Sequence, residues 1–595
     1  MNERKRADVF FVIRISSLFR HSSFVIRQFL VNLSPEKRIA GILAPLFGLR
    51  SENDLGVGDV AVLREFIDWA AEIGFKLVQL LPINEMGSDN SPYNAISAIA
   101  IEPSTLHLAP GDPTDLTTAD FDSAVAGFDF GKLRQGGVKY DRVKKLKRRL
   151  FEMAFANFLA RASWDRQSDF ANFSRKEAGW LDHYAFFRAL VDQNNESEAW
   201  DKWPIEQRTM ESARVWLDRQ LPEKKESFAK REAFFRYVQW IAHQQWAAIK
   251  SYAEKRNVAL MGDIPFGVSY YSADVFARPT EFTLDWCGGA PPESYFKEDA
   301  FTQRWGQNWG IPLFRWDVMR ERNFDWWRQR VRSVRRSFHL FRIDHVLGFY
   351  RIYAFPWRPR QNREFLPLEW SQMLDRTGGR APHFSLRDDS NPENCESNRR
   401  DGEEFLRVVL EESGDARMIG EDLGTVPDYV RPSLHSLGIA GFKIPQWEFY
   451  NGRVTPGGEY QRLSVATYAT HDHKPIRKLW EEAFEQATAT SEQARFELEK
   501  IARFAGFERT TEQTDFEKDF YPTIMKALFD SEAWVATVMI TDLLARKYRF
   551  NVPGTAARSN WARRMQRSIA QLRRSRKERD RMRLIRELLE KTGRT

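Results

Sequence analysis

Acidic side chains recur at the ends of short apolar runs in this chain, and the clearest instance is HLFRIDHVLGFYR at 339–351. Four mostly apolar residues lead into Asp344, and Gly348 breaks the run, which is typical of a short buried strand that ends in a polar site. Residues two apart share one face of a strand, so Arg342 should point the same way as Asp344. A neighbouring arginine lowers the pKa of a carboxyl group, which suits a nucleophile or a charge stabiliser. A purely structural ion pair explains this segment alone equally well.

Two further acids follow runs of the same kind, Glu421 in the segment ARMIGEDLG and Asp472 in the segment ATHDH. The apolar neighbours of Glu421 would raise its pKa, as a general acid near neutral pH requires. A retaining glycosidase uses one ionised and one protonated carboxyl group, about 5–5.5 Å apart. Asp472 would then accept hydrogen bonds from sugar hydroxyls and stabilise an oxocarbenium-like state. His345 and His471 would donate hydrogen bonds to the same hydroxyls. For any single acid, a strand cap or an ion pair remains the alternative.

Composition limits the classes of protein that this chain can belong to. Its 595 residues include 20 Trp, 45 Phe and 16 Tyr, which fits stacking on sugar rings and equally fits a large core. The two cysteines, Cys287 and Cys395, lie far apart, which argues against a disulfide framework and for a reducing, cytoplasmic compartment. Neither a CxxC nor an HExxH motif occurs, so the sequence predicts no metal site and no cofactor.

The formal net charge of +8 is unevenly distributed along the chain. Residues 556–595 hold 14 Lys and Arg against 4 Asp and Glu, and residues 1–33 hold 6 against 2. The body between these basic ends therefore carries a net charge of −6, which does not indicate a nucleic-acid partner. The apolar runs near the N-terminus are about five residues long, too short to span a membrane, so no membrane partner is predicted. The sequence leaves the oligomeric state open.

Eight short apolar runs recur along the chain, most of them ending in Gly, Pro or an acidic residue. They lie at 39–45, 76–83, 258–266, 339–345, 416–424, 440–448, 463–473 and 534–544. Amphipathic stretches such as VLREFIDWAAEIGF separate several of them. Buried runs that alternate with helices indicate parallel βα units, and eight such units predict an α/β fold, the (β/α)8 TIM barrel. Functional side chains in such barrels lie at the C-terminal ends of the strands. Asp263, Asp344, Glu421 and Asp472 are all expected there.

The predicted barrel occupies residues 38–565, with uneven spacing between its strands. Two long stretches, at about 104–235 and 268–325, are interpreted as helical insertions that form a lid over the C-terminal face of the barrel. The polar segment 377–402 is expected to be a mobile loop. Residues 1–37, in which FVIR occurs twice, are interpreted as a disordered leader or a mispredicted start.

Residues 566–595 are predicted to form a basic C-terminal helix. Apolar residues recur at helical spacing in this region, namely Met565, Ile569, Leu572, Met582, Ile585, Leu588 and Leu589. We expect this face to pack on the body while the arginine-rich face remains in solvent. A tail that binds nucleic acid, a membrane or a partner protein is the alternative.

Several segments carry a family resemblance in the same order along the chain. They are SDNSPYNAISAIAIEP (88–103), GDIPFGVSYYSADVFARP (262–279), GGAPPESYF (288–296), GQNWGIPLF (306–314), FRIDHVLGF (341–349), IGEDLGTVP (419–427), ATHDH (469–473), NVPGT (551–555) and NWARR (560–564). With these motifs, residues 38–565 resemble the 4-alpha-glucanotransferase family, also known as amylomaltases or disproportionating enzymes, within the alpha-amylase superfamily.

The resemblance implies a retaining enzyme that moves α-1,4-glucan segments or glucosyl units from a maltodextrin or glycogen-type donor to a glucose or glucan acceptor. It implies these roles: Asp344 as nucleophile, Glu421 as acid/base, Asp472 as transition-state stabiliser, Arg342, Asp263 and His471 as ligands of the −1 sugar, Tyr93 as a stacking platform and Trp309 as a glucan contact. An α-glucan hydrolase that uses the same site is the first alternative. A non-catalytic glucan-binding protein is the second.

Three positions depart from the pattern of the family. Leu347 stands where many members carry an arginine, three residues after the nucleophile. Glu293 replaces an aspartate, and the chain is lengthened over 294–305 before GQNWG. The segment HDHKPI at 471–476 differs from the commoner HDNDT. These departures concern the choice of acceptor and the length of the donor rather than the reaction.

Overall fold

The computed structural model describes residues 31–111, 114–293, 299–484, 489–507, 514–553 and 559–595. Residues 1–30 of the predicted leader therefore lie outside the described residues, as do residues 294–298 of the lengthened stretch. The remaining leader residues, 31–37, form neither helix nor strand. Two of them, Val31 and Leu33, nevertheless pack against the apolar core inside the barrel.

Eight parallel strands form the central sheet. They are β1 (Ile39–Leu43), β2 (Leu77–Gln79), β3 (Ala259–Ile264), β4 (Leu340–Ile343), β5 (Arg417–Gly420), β6 (Gly441–Lys443), β7 (Ser464–Ala466) and β8 (Val535–Met539). Hydrogen bonds order them β6-β7-β8-β1-β2-β3-β4-β5. A parallel bridge between Ile419 and Ala440 brings β5 beside the start of β6, so the sheet is nearly closed. Each strand lies within one of the eight apolar runs, and the predicted (β/α)8 barrel is confirmed.

Burial on both faces explains why these strands read as apolar runs without alternation. Every residue of β1, β3, β4 and β8 is buried. Helices cover the outer face of the sheet, while a cluster of apolar side chains fills the barrel. This inner cluster includes Ile39, Leu77, Ala259, Met261, Leu340, Phe442, Val465 and Val535.

Helices surround the barrel and fill the first insertion. The longer ones are Val60–Ile73, Thr118–Val125, Tyr140–Arg161, Trp164–Lys176, Ala178–Gln193, Met210–Asp218, Pro222–Lys255, Asp325–Ser337, Trp370–Thr377, Pro392–Ser413, Val430–Ser436, Ile476–Ala483, Ala489–Phe504 and Tyr521–Asp530. Local sequence sets their ends, as at the helix after β1. There the Asp59 carboxylate accepts hydrogen bonds from the N–H groups of Ala61 and Val62, and Gly74 ends the helix at a φ of 108°.

The described residues of the second insertion, 268–325, contain two strands of an antiparallel sheet and only short helices, so the expectation of a helical insertion is wrong for this stretch. The strands Gln307–Phe314, Phe282–Ala290, Ile352–Phe355 and His383–Ser385 lie side by side in this order. Segment 377–402, expected to be a mobile loop, supplies the last of these strands and the first turns of the helix Pro392–Ser413. Its polar side chains concealed the pattern, because the strand lies at a sheet edge and the helix begins on the surface.

The basic C-terminal region forms two helices, Ile569–Arg574 and Arg576–Lys591, with a break at Ser575. All seven apolar residues singled out in this region are buried, as their spacing predicted. Several of its arginines form ion pairs with the body, including Arg573 with Glu72 at 2.8 Å and Arg574 with Glu52 at 2.9 Å. In the described residues, no helix is both long enough and apolar enough to cross a membrane.

Candidate active site

A cavity of about 700 Å³ opens at the C-terminal ends of the barrel strands. Five residues from three separate parts of the sequence line it together: Arg342, Asp344, Glu421, His471 and Asp472. The antiparallel sheet, to which the second insertion contributes two strands, lines another side of the cavity. Among the described residues of the first insertion, none lines the cavity, whereas the second insertion contributes lining residues such as Gln307 and Trp309. The lid that was expected from both insertions stays a prediction.

Arg342 joins two carboxylates from neighbouring strands. Its Nη1 donates to Asp263 Oδ2 at 2.6 Å, and its Nη2 donates to Asp344 Oδ1 at 2.6 Å. Burial alone would lower the pKa of Arg342, but the two carboxylates outweigh it and hold this pKa well above its ordinary value. The guanidinium is therefore a permanent cation that fixes the orientation of Asp344. About 30% of the Asp344 side chain remains exposed to the cavity.

Glu421 follows β5 and is tied to the segment that carries Asp344. The backbone N–H of His345 donates to Glu421 Oε2 at 2.7 Å, and the N–H of Glu421 donates to the carbonyl of Ile343 at 2.9 Å. Burial, with a smaller contribution from the Asp344 charge, raises the pKa of Glu421 to about 8 against the opposing effect of Arg342. Glu421 is thus protonated at neutral pH, and it lies beside Asp344, which is paired with Arg342.

His345 has an unusual backbone conformation at the turn between the two acids. Its φ is 48°, in the left-handed region that residues with a side chain seldom adopt. β4 ends at Ile343, just before this turn, and the N–H of His345 donates to Glu421. Such strain is typical of functional sites and is retained only where the surroundings impose it. Burial lowers the pKa of the His345 imidazole to about 4, so this ring is neutral at pH 7.

Asp472 is held from both sides of its carboxylate. Asn551 Nδ2 donates to Oδ1 at 2.7 Å, and His471 Nε2 lies 3.1 Å from Oδ2. Burial alone would raise the pKa of Asp472, but His471 and Asn551 together bring it well below its usual range. About 42% of the side chain is exposed to the cavity, so a fixed negative charge faces any bound ligand.

Tyr93 contacts two residues of this group, Asp263 and His471, and in addition Trp561. Its hydroxyl donates to Asp263 Oδ2 at 2.7 Å and lies 3.3 Å from His471 Nδ1. Its ring is parallel to the His471 imidazole, with 4.8 Å between the centroids, and the indole of Trp561 lies at 5.6 Å. One face of the Tyr93 ring is therefore covered by His471, and the remainder lines the cavity.

Asp263 and Trp309 occupy opposite extremes of exposure in the set of predicted residues. The Asp263 side chain is almost fully buried and contacts Arg342 and Tyr93 without lining the cavity. Its Oδ1 has no hydrogen-bond partner among the described residues. Trp309, on the antiparallel sheet, is 38% exposed and lies edge-on to His345 with 4.7 Å between the ring centroids.

Across the described residues, no group of three or more His, Cys, Asp and Glu could hold a metal ion.

The sequence of the whole chain supports one family. A family model described as 4-alpha-glucanotransferase matches residues 44–570. The chain belongs to this family. A 4-alpha-glucanotransferase of Chlamydia pneumoniae is 28% identical over 571 residues, covering 93% of this chain and 95% of the relative. A 4-alpha-glucanotransferase of Oryza sativa subsp. japonica is 33% identical over 330 residues, which are 54% of this chain and 32% of the relative.

Solved structures show the same fold. The amylomaltase from Streptococcus agalactiae, determined in complex with acarbose, superimposes with a TM-score of 0.69 at 22% identity. The superposition covers 94% of this chain and all of that one. As a member of the 4-alpha-glucanotransferase family, the chain is an enzyme that transfers α-1,4-glucan units, and its substrates are α-glucans.

Some residues of this 4-alpha-glucanotransferase-family site were not assigned a function from the sequence. Asn551 and Trp561 lie in the segments NVPGT and NWARR, so the motifs pointed to the region but not to a contact with Asp472 or Tyr93. Arg351, Tyr353 and Phe384 also line the cavity. Nothing in the sequence singles out Phe384, because it belongs to the segment expected to be a loop.

Proposed function

We propose that Asp344 is the nucleophile, Glu421 the acid/base and Asp472 the transition-state stabiliser of a double-displacement glucan transfer. The donor is a maltodextrin or glycogen-type α-1,4-glucan, and the acceptor is glucose or a second glucan. The observation that carries this proposal is the pairing of two unlike carboxyl groups. One is held by Arg342, and the other is protonated at neutral pH because of its burial.

In the first half of the reaction, the Glu421 carboxyl group gives its proton to the glycosidic oxygen as the bond from this oxygen to C1 of the −1 sugar breaks. The Asp344 carboxylate forms a bond to C1, and the shortened glucan leaves with a free 4-hydroxyl group. Positive charge that develops on the −1 sugar faces the Asp472 carboxylate, which stays ionised because its pKa is low.

In the second half, Glu421 is ionised and serves as general base. It takes the proton of an acceptor 4-hydroxyl group while the acceptor oxygen attacks C1 and the bond from C1 to Asp344 breaks. The enzyme returns to its starting protonation state, and the new linkage keeps the α configuration after two inversions. The number of glycosidic bonds is unchanged, so transfer produces no new reducing ends.

Arg342, Asp263, His471 and Tyr93 position the −1 sugar in this proposal. Arg342 and His471 line the cavity and reach ligand hydroxyls directly, whereas Asp263 acts through its bonds to Arg342 and Tyr93. Trp309 offers an exposed indole to a glucan beyond the −1 sugar. We further propose that residues 38–565 form the catalytic unit and that residues 566–595 form a basic C-terminal region packed on it. The cytoplasmic location remains a prediction from the two unpaired cysteines.

The test is incubation of purified protein with maltotriose alone, followed by product sizing and a count of reducing ends. We expect a ladder of shorter and longer glucans at constant reducing ends. Rising reducing ends with glucose and maltose as products would instead establish a hydrolase. If maltotriose, maltose and a glycogen acceptor all remain unchanged, the protein only binds glucans. Glu421→Gln serves as the matched control, because it keeps the shape and the bond from His345 but has no proton to transfer.

A further inference from the structure

One part of the cavity, called the limb, is defined by lining residues that lie outside the group around the −1 sugar. It is lined by the segment after Asp344, by the loop after Glu421 and by the edge of the antiparallel sheet. Arg351 and Leu347 come from the first, Gly424 and Thr425 from the second and Phe384 from the third. Three distant parts of the sequence therefore meet in this limb.

Phe384 contributes an aromatic ring to this limb. The Arg351 guanidinium lies over its ring with 3.7 Å between Cζ and the centroid, a cation–π contact that covers one face. Tyr353 is its partner across the strands and lies edge-on to it at 5.2 Å. Phe384 is thus fixed in position and lines the cavity with the rest of its ring. An apolar ring held in this way is suited to stacking on the C–H face of a pyranose.

Asp389 fixes this arrangement to both catalytic segments. Its carboxylate accepts from Arg351 Nε at 2.8 Å, from the Tyr429 hydroxyl at 3.0 Å and from Asn398 Nδ2 at 3.1 Å. Arg351 belongs to the segment that follows Asp344, and Tyr429 belongs to the loop that follows Glu421. The strand that bears Phe384 is therefore tied to the two parts of the chain that carry the reacting carboxyl groups.

The chemistry of the reaction assigns a ligand to this limb. Glu421 must reach the glycosidic oxygen, which joins the −1 sugar to the leaving sugar, so the leaving sugar lies on the far side of this oxygen from Tyr93 and His471. The acceptor that replaces it takes the same place, because its 4-hydroxyl group must reach the same carboxylate. We propose that Phe384 is the stacking platform for the acceptor glucose unit, and that Arg351 and Asp389 are its positioning residues. This inference rests on the proposed function and deepens it.

A glycosyl fluoride donor separates the acceptor step from glycosylation, because fluoride leaves the acceptor side free of sugar. With α-maltosyl fluoride as donor, Phe384→Ala should raise the KM for glucose or maltose as acceptor roughly tenfold. This change should be several times larger than any change in fluoride release without acceptor. Phe384→Tyr should restore most of the affinity, and Asp389→Asn should raise the acceptor KM by a smaller factor.

Trp370→Ala is the matched control, since Trp370 is an aromatic residue that is 54% exposed and does not line the cavity. We expect its acceptor KM to equal that of the wild type. Phe384→Leu keeps most of the bulk and tests the role of the ring if the alanine variant unfolds. An unchanged acceptor KM in the alanine or leucine variant, with normal wild-type transfer, would overturn this inference alone. A wild type that neither releases fluoride nor transfers sugar would overturn the proposed function and this inference with it.

Discussion

Two walls of one cavity are built on different physical principles. The barrel floor consists of the lining residues Tyr93, Arg342, Asp344, Glu421, His471 and Asp472, with Asp263 buried behind Arg342 and Tyr93. The sheet wall consists of Trp309, Tyr353 and Phe384. Every side chain of the floor has at least one hydrogen bond or ion pair to another part of the site. Asp263 accepts two such bonds at Oδ2, while its Oδ1 has no partner among the described residues. The sheet wall offers rings that touch one another, His345 and Arg351.

This difference suggests that the floor carries out the reaction and that the sheet wall selects the ligand. On the floor each group sets the charge or orientation of the next, so removal of one changes several others. On the sheet wall each ring adds its own contact area, and removal of one leaves the others in place. We therefore expect large, non-additive effects from substitutions on the floor and small, nearly additive effects from substitutions on the sheet wall.

The largest effect should come from the two reacting carboxyl groups. Asp344→Asn and Glu421→Gln should each lower kcat for maltotriose disproportionation by roughly a thousandfold or more, because one removes the nucleophile and the other the proton donor. With α-maltosyl fluoride as donor, Glu421→Gln should retain far more of its glycosylation rate than Asp344→Asn, since fluoride needs little protonation. Equal losses of the two variants with this donor would contradict the division of roles.

Coupling on the floor can be measured next, with Arg342→Lys, Asp263→Asn and the double variant. Each single substitution should lower kcat/KM by roughly 30- to 300-fold. Lysine keeps the charge but lacks the planar guanidinium that bonds both carboxylates, and Asp263→Asn removes one of the two carboxylates that hold Arg342. Because both act on Asp344 through one network, the double variant should lose at least tenfold less than the product of the two single effects. A matched pair on the sheet wall, Trp309→Ala with Phe384→Ala, should instead multiply. Independent effects on the floor would remove the basis of the comparison.

The sequence predicted the floor far better than the sheet wall, for a physical reason. The positions of Asp344 and Glu421 can be predicted from the local sequence. An apolar run predicts a barrel strand, and an acid that follows the run is then expected at the C-terminal end of that strand, at the mouth of the barrel. Phe384 instead reaches the cavity because a short edge strand pairs with Ile352–Phe355, a contact between segments that share no local signal. Asn551 is intermediate, since its motif was visible but its bond to Asp472 depends on how the chain returns to β7.

The pH dependence of kcat/KM tests the electrostatics of the floor. The free enzyme must carry a protonated Glu421, whose pKa burial raises to about 8. Activity on maltotriose should therefore fall as the pH rises through about 8, approaching a tenfold loss per unit above it. No corresponding loss should come from Asp472, because its low pKa keeps it ionised throughout. A profile that falls already between pH 5 and 6 would show that Glu421 is not desolvated in solution.

A smaller effect is expected from the sheet wall. Trp309→Ala should raise KM for maltodextrins roughly three- to tenfold and change kcat by less, because a partly exposed indole contributes stacking without touching the reacting bond. Trp309→Phe should recover part of the affinity, since it keeps a ring beside His345. The readout is the ratio of the change in KM to the change in kcat. A dominant loss in kcat would move Trp309 from the sheet wall to the reacting centre.

The smallest effect concerns stability and distinguishes the raised pKa of Glu421 from a purely structural role of this side chain. Below pH 4.5, the ordinary pKa of a glutamate, Glu421 is protonated in both the folded and the unfolded chain and adds no pH dependence. Between pH 4.5 and about 8 the unfolded chain releases this proton while the folded chain keeps it, so the free energy of unfolding falls as the pH rises.

Glu421→Gln removes this term and keeps the hydrogen bond from the His345 N–H. The variant should therefore unfold at the wild-type Tm at pH 4 and at a Tm roughly 1–3 °C higher at pH 8.5. Differential scanning calorimetry at the two pH values measures the difference. Asp344→Asn is the contrasting variant, because its carboxylate is paired with Arg342 and its removal should lower the Tm at pH 8.5. A variant of Glu421 that is less stable than the wild type at pH 8.5 would mean that its carboxylate is solvated in the folded protein, and the floor would then lack its general acid.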